Sequence, residues 1–160
     1  MELKIIAALA ENNVIGYRGK MPWGRIKEDL EHFRSLTIPH PVIMGRITYE
    51  SLGKPLVKRE NIIISSNPQL IKTFSGVYPC SNLEQAISYA EKLDSVAFII
   101  GGQNLYEQTI NHSLTSTLEI TRIHKKYVGD TFFPWIDTNE WKLIQYSRGQ
   151  ECDFETYTKR

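Results

Sequence analysis

Four short apolar runs punctuate the first two thirds of the chain: residues 3–10 (LKIIAALA), 41–45 (PVIMG), 61–66 (NIIISS) and 96–100 (VAFII). Runs this short and this continuous suit strands covered on both faces, as in parallel sheets. Between them the apolar spacing turns helical. Ile26, Leu30, Phe33 and Leu36 recur at about that period, residues 46–52 form a short segment closed by Gly53, and residues 103–110 follow the fourth run. Ser81-Asn82-Leu83-Glu84 reads as a capping box, opening a helix with Leu83, Ala86, Ile87, Ala90 and Leu93 on one face. From 118–124 onward the texture changes to alternation with polar residues. Residues 141–146 and 154–158 read as two antiparallel strands at an edge, with Gly149 marking their turn. Strands alternating with helices imply right-handed crossovers and a largely parallel sheet with helices on both faces, in one α/β domain over 1–160.

One acid sits against this pattern. Asp29 lies four residues before Phe33 and seven before Leu36, so it falls on the apolar face of its helix. Glu28 shares the other face with His32 and Ser35 and is expected in solvent. A carboxylate turned toward a core costs several kcal/mol unless it is paired or protonated. Asp29 is therefore either a member of a structural ion pair or a site residue that needs a cationic ligand. The preceding stretch, 12–23, is long and irregular, yet Val14, Ile15, Met21 and Trp23 give it apolar surface that must cover something.

In parallel sheets, ligands bind beyond the carboxyl ends of the strands. Arg46, Ser65, Ser66, Gly101 and Gly102 all fall there. Strand, Gly45-Arg46-x-Thr48, then helix offers free N–H groups and a guanidinium fork to an anion. Gly101-Gly102 lets backbone approach a ligand closely but is not a full dinucleotide fingerprint.

Composition narrows the function. The 160 residues carry a net charge of +1 and two distant cysteines, Cys80 and Cys152. No broad attraction to nucleic acid or membrane follows, no disulfide framework, and no metal-ligand spacing among the four histidines. No apolar run spans a bilayer and no signal peptide is evident, so a cytoplasmic location is the default. With no exposed apolar helix face, a monomer is expected.

The quoted runs, with MPW from Met21, DLEHFRSLT from Asp29, GRITYESLGKPL from Gly45, RENIIISS from Arg59, IIGGQNLYEQ from Ile99 and GDTFFP from Gly129, resemble dihydrofolate reductase over nearly the whole chain. The resemblance implies a mostly parallel central sheet of about eight strands with an antiparallel C-terminal edge hairpin. It also implies reduction of dihydrofolate, a small-molecule substrate, with NADPH. Asp29 would be the single active-site carboxyl, with Trp23 fixing a nearby water and Thr121 hydrogen-bonded to the acid. Phe33, Leu52 and Leu56 would wall the substrate, Arg59 would clamp its glutamate carboxylate, and Ile6, Ala7 and Ile100 would line the pterin through backbone. For the cofactor, Ala8, Ile15 and Gly16 would meet the nicotinamide end and Tyr106 would sit near it. Gly45, Thr48, Ile100, Gly101, Gly102 and Gln103 would take the pyrophosphate region. Arg46 with Ser65 and Ser66 resembles a 2′-phosphate pocket. The stretch from Asn13 to Arg25 would close over the nicotinamide, with Asp130 holding it near Gly16.

Five departures stand out, one being Gly24-Arg25 in place of the bulkier polar-apolar pair common in that loop. The Trp23–Asp29 interval is one residue longer than in many bacterial members, which makes Glu28 a rival acid. Ile47 stands where a second basic residue is common, Gln103 replaces a third glycine, and the final hairpin is short. A related pyrimidine reductase of riboflavin synthesis shares the sheet and cofactor site without needing Asp29 or Arg59. A non-catalytic binder on this fold would have no use for Asp29, Trp23 and the glycine pair together.

Overall fold

Ten strands and four α-helices follow one another along the chain in the computed structural model, which describes residues 1–160. β1 (Glu2–Leu9) is central, flanked in parallel by β6 (Val96–Ile99) and β7 (Thr115–Ile123). Outward from β6 come β3 (Val42–Gly45), β4 (Asn61–Ile64) and β5 (Val77–Cys80), all parallel. Outward from β7 come β10 (Cys152–Lys159) and then β9 (Trp141–Arg148) at the edge. β10 is antiparallel to both its neighbours. The expected mixed sheet of eight strands is the one observed.

The apolar runs are buried on both faces because helices cover both. On one side α3 (Leu83–Glu91) and α4 (Gln103–Thr109) pack Leu83, Ala86, Ala90, Leu105 and Tyr106 onto Leu3, Ile5, Ile43, Ile62, Ile99, Leu118 and Ile120. On the other, α1 (Lys27–Thr37) and α2 (Arg46–Leu52) bring Phe33, Leu36 and Tyr49 onto Ile6, Val42, Met44, Ile63 and Phe98. A buried aliphatic side chain contributes about 1.5–3 kcal/mol, so these two layers dominate the fold. α2 ends as the sequence indicates, with Gly53 in the left-handed region at φ 76° and its N–H donating to the Glu50 carbonyl.

Several local expectations are corrected. β5, preceded by a single 3₁₀ turn over Pro68–Leu70, was not anticipated; Pro79 argues against a strand, and its presence is tolerated because β5 is an edge. The irregular 12–23 stretch contains β2 (Val14–Gly16), paired with β8 (Thr131–Phe132). α3 is capped by Asn82 rather than Ser81: the Asn82 side chain accepts from the Gln85 amide, and Gln85 reaches back to the Ser81 amide. Leu93 lies past the helix end and is exposed. β4 stops at Ile64, leaving Ser65 and Ser66 in the turn beyond, and β7 begins at Thr115.

Candidate active site

α1 sets the site. Its first turn has no side-chain cap, and Ile26 at the N-cap is buried instead against Ile123 and Cys152. Asp29, Phe33 and Thr37 follow at intervals of four on one stripe of the helix, spanning about 12 Å at 1.5 Å per residue. Asp29 is 9% exposed and meets no lysine or arginine of the chain. That removes the structural ion-pair reading. Burial raises its carboxyl above the ordinary carboxylate range; the Thr121 hydroxyl opposes this, and the neighbouring Glu28 charge adds to it. A helix N-terminus favours a carboxylate by about 0.3–1 kcal/mol, less than the several kcal/mol for burying an unpaired charge.

The floor beside Asp29 comes from three strands. Ala8 on β1 pairs in register with Thr121 on β7, and Thr121 with Phe154 on β10. Trp23 and Tyr127 close the end of this row, ring edge to ring face with centroids 5.8 Å apart. His32 lies over Phe154 at 4.2 Å. Ala7 points the other way, into the main core, so only its backbone is on offer here.

The far end of the stripe carries a cation without an acid. Arg59 donates from Nη1 to the Thr37 hydroxyl at 2.9 Å and from Nε to the Val57 carbonyl at 2.9 Å, 5.9 Å over the Phe33 ring. Thr37 in turn donates to the Phe33 carbonyl. The guanidinium is therefore held by neutral oxygens alone, and burial with Arg34 nearby pulls it below its ordinary value. Leu56, Phe33 and Ile100 pack against the same apolar cluster, while Leu52 is 37% exposed. A cavity of about 660 Å³ opens beside Arg59, between Leu56, Lys58 and Gly76.

Across the sheet ends a second group converges. The Gly45 amide donates to the Gly101 carbonyl at 2.9 Å. A Cβ on Gly102 would lie 3.5 Å from the Thr48 hydroxyl, and one on Gly101, whose φ is +123°, 3.2 Å from the Tyr106 hydroxyl. Tyr106 is fully buried and donates to the Ile6 carbonyl at 2.9 Å, joining this group to the Asp29 group. That carbonyl keeps a second lone pair. Burial, then the Asp29 charge, raises the Tyr106 phenol, so it remains a neutral donor. Arg46 is exposed, and its Nη1 donates to both carboxylate oxygens of Glu50 at 2.8 and 2.9 Å. Ser66 is exposed, whereas the Ser65 hydroxyl accepts the Asn67 amide and shapes the turn. Gln103 spends its side chain on the Phe132 amide, which leaves its backbone for a ligand. Ile15 packs against the main core.

The irregular stretch from Asn13 to Arg25 is tied to Asp130. The Asp130 amide donates to the Gly16 carbonyl, and the Arg18 amide donates to the Asp130 carboxylate at 2.9 Å. Sequence reasoning missed Thr37, Tyr127 and Phe154; Thr37 alone had a signal, at i+4 from Phe33. Glu28 keeps solvent contact as expected, but its carboxylate accepts from the turn after β9, so it is not free to act as a rival acid in the cleft.

Comparison with known proteins identifies the family. A family model described as Dihydrofolate reductase matches residues 2–159. A dihydrofolate reductase of Haemophilus influenzae is 38% identical over 167 aligned positions, covering all of both chains. One of Bacillus subtilis is 33% identical over 155 residues, 97% of this chain and 89% of that one. Among solved structures, dihydrofolate reductase from Enterococcus faecalis complexed with NADP(H) and RAB-propyl superposes with a TM-score of 0.88 at 34% identity, over 99% of this chain and 96% of that one.

Proposed function

The chain belongs to the dihydrofolate reductase family, and from that membership we propose that it reduces 7,8-dihydrofolate to 5,6,7,8-tetrahydrofolate with NADPH, Asp29 promoting protonation of N5. The observation that carries the residue-level reading is the stripe on α1. An unpaired acid and an unpaired guanidinium stand at its two ends with an apolar wall between. A ligand complementary to it has a donor-rich, flat head, an apolar middle and an anionic tail, which describes dihydrofolate.

The residues present fit the cofactor. Gly45, Gly101 and Gly102 offer bare backbone beside Thr48 and two helix N-termini, a donor set suited to pyrophosphate. Arg46 and Ser66 would hold a 2′-phosphate, with Arg46 exchanging Glu50 for it. Ala8, Ile15 and Tyr106 would orient the nicotinamide end. Bound there, NADPH supplies the hydride, chemistry the protein itself lacks.

The chain's own contribution is position and protons. Asp29 would take the amino edge of the pterin, and the Ile6 and Ile100 carbonyls would accept its remaining N–H groups. Thr121 would keep the carboxyl oriented. A carboxyl raised by burial keeps its proton to higher pH than a free one and would bias N5 toward its protonated form, in which C6 accepts hydride more readily. Trp23 and the β2–β8 pair would exclude water. Leu52, Leu56 and Phe33 would hold the aminobenzoyl group, and Arg59 the carboxylate beyond it.

The test is NADPH oxidation by the purified protein with dihydrofolate as acceptor, against the aminopyrimidine substrate of the related riboflavin reductases. Turnover with dihydrofolate alone is expected. Turnover with the pyrimidine alone would overturn the assignment.

A further inference from the structure

The turn between β9 and β10 closes around one carboxylate, that of Glu28. The Glu151 amide donates to Oε1 at 2.8 Å, the Cys152 thiol donates to the same oxygen at 3.3 Å, and the Gln150 amide donates to Oε2 at 3.4 Å. Gly149 completes the wrap: a Cβ there would stand 2.7 Å from Oε2 and 2.9 Å from Oε1, and 2.5 Å from the Cys152 carbonyl. Four consecutive residues are thus shaped to one side chain of another element more than 120 positions away in sequence. That side chain is in the uncapped first turn of α1, next to Asp29.

We propose that Glu28 is a positioning residue for the reaction: the 149–152 turn clamps its carboxylate, which fixes the first turn of α1 and the Asp29 carboxyl, and its standing negative charge favours the protonated acid. This rests on the assignment of Asp29 above. A helix without a side-chain cap frays first at its N-terminus, and here that end must hold a proton donor in place. The Glu28 clamp replaces the missing cap from outside the helix.

The charge works in the same direction. The Glu151 amide, with the Cys152 thiol and the Gln150 amide, holds Glu28 below its ordinary value despite some opposing burial, which favours its ionised form. The other ionisable groups facing Asp29 are the Tyr106 phenol on α4 and the Cys152 thiol on β10, both raised by burial and uncharged. His32, further along α1, is lowered by burial. Asp153, the next residue of β10, is turned to His124 and Tyr146. Glu28 is the charged neighbour that acts on Asp29.

Glu28→Gln keeps the shape and an acceptor but removes the charge; Glu28→Ala removes both. Single-turnover hydride transfer from NADPH to dihydrofolate is followed against pH in wild type and both variants. In Glu28→Gln the midpoint of the profile moves to lower pH, lowering the rate at neutral pH about threefold and sparing the acid plateau. In Glu28→Ala the acid plateau also falls, about tenfold, with a raised KM for dihydrofolate. A purely structural anchor would lower Tm in both variants and leave the midpoint where it is, and that result overturns the proposal. Titration of the Asp29 carboxyl by carbon NMR reads the same displacement without turnover, so a wild type inactive on dihydrofolate would sink the functional reading and not this one.

Discussion

Replacing Asp29 with Asn tests the site most directly, because it keeps the shape and removes the proton. Nothing nearby can take its place: Thr121 does not ionise in this range, Tyr106 is raised further still, and Glu28 is clamped in the hairpin turn. A positioned acid contributes about 10²- to 10⁴-fold, which is about 3–5 kcal/mol of barrier. Asp29→Asn should therefore lose hydride transfer by that factor at neutral pH, measured by single-turnover NADPH oxidation. The loss should shrink toward acid, where solvent protonates N5. Stability should move the other way. The folded-state carboxyl is raised above its unfolded value of about 3.8, so the native state binds more protons between the two values, and stability falls as pH rises through that window. The variant has no such penalty. It should be more stable than wild type at neutral pH by about 1–3 kcal/mol, the scale of burying a polar group that is incompletely compensated, with the difference shrinking as pH falls toward the unfolded value. Equal hydride-transfer rates at every pH, or a variant less stable at neutral pH, would refute the assignment of a buried, unpaired acid.

Three further outcomes follow from the same geometry. Arg59→Ala should raise KM for dihydrofolate by about 30- to 100-fold with kcat nearly kept, since a charge-assisted contact of about 2–3 kcal/mol is lost; a pteridine lacking the glutamate carboxylates should show no such change in a parallel assay. Arg46→Ala should weaken NADPH by about tenfold or more and leave NADH nearly unchanged in fluorescence titrations, because only the 2′-phosphate contact is removed; parallel losses would remove Arg46 from that role. Asp130→Ala frees the Arg18 amide, so amide exchange over residues 16–20 should accelerate and KM for NADPH should rise, while Tm changes little; unchanged exchange would show that the β2–β8 pairing alone holds the lid stretch.

Much of this molecule was legible before any coordinates. Strands covered on both faces must be apolar throughout, so β1, β3, β4 and β6 announce themselves as continuous runs. Helices half in solvent must alternate at their own period, which placed Asp29 on the buried face of α1 from spacing alone. Gly53 and the Gly101-Gly102 pair were readable because backbone at positive φ or in close approach restricts the choice of residue. β5 was not readable, because an edge strand tolerates Pro79 and has only one side to satisfy. Neither was β2, three residues long and stabilised by a partner more than a hundred residues away.

The pairing of charges was beyond local pattern altogether. Helical periodicity puts Glu28 on a polar face, and nothing in its neighbourhood of sequence says that the 149–152 turn folds up to that face and donates to the carboxylate. The same holds for Arg59, whose grip on Thr37 joins a loop to the end of α1, and for Tyr106, whose hydroxyl reaches the Ile6 carbonyl a hundred positions back. Spacing along a chain reports which face a residue occupies. Which group arrives opposite that face depends on strand order and loop closure, and these leave one acid without a charged partner and give its neighbour a turn full of donors.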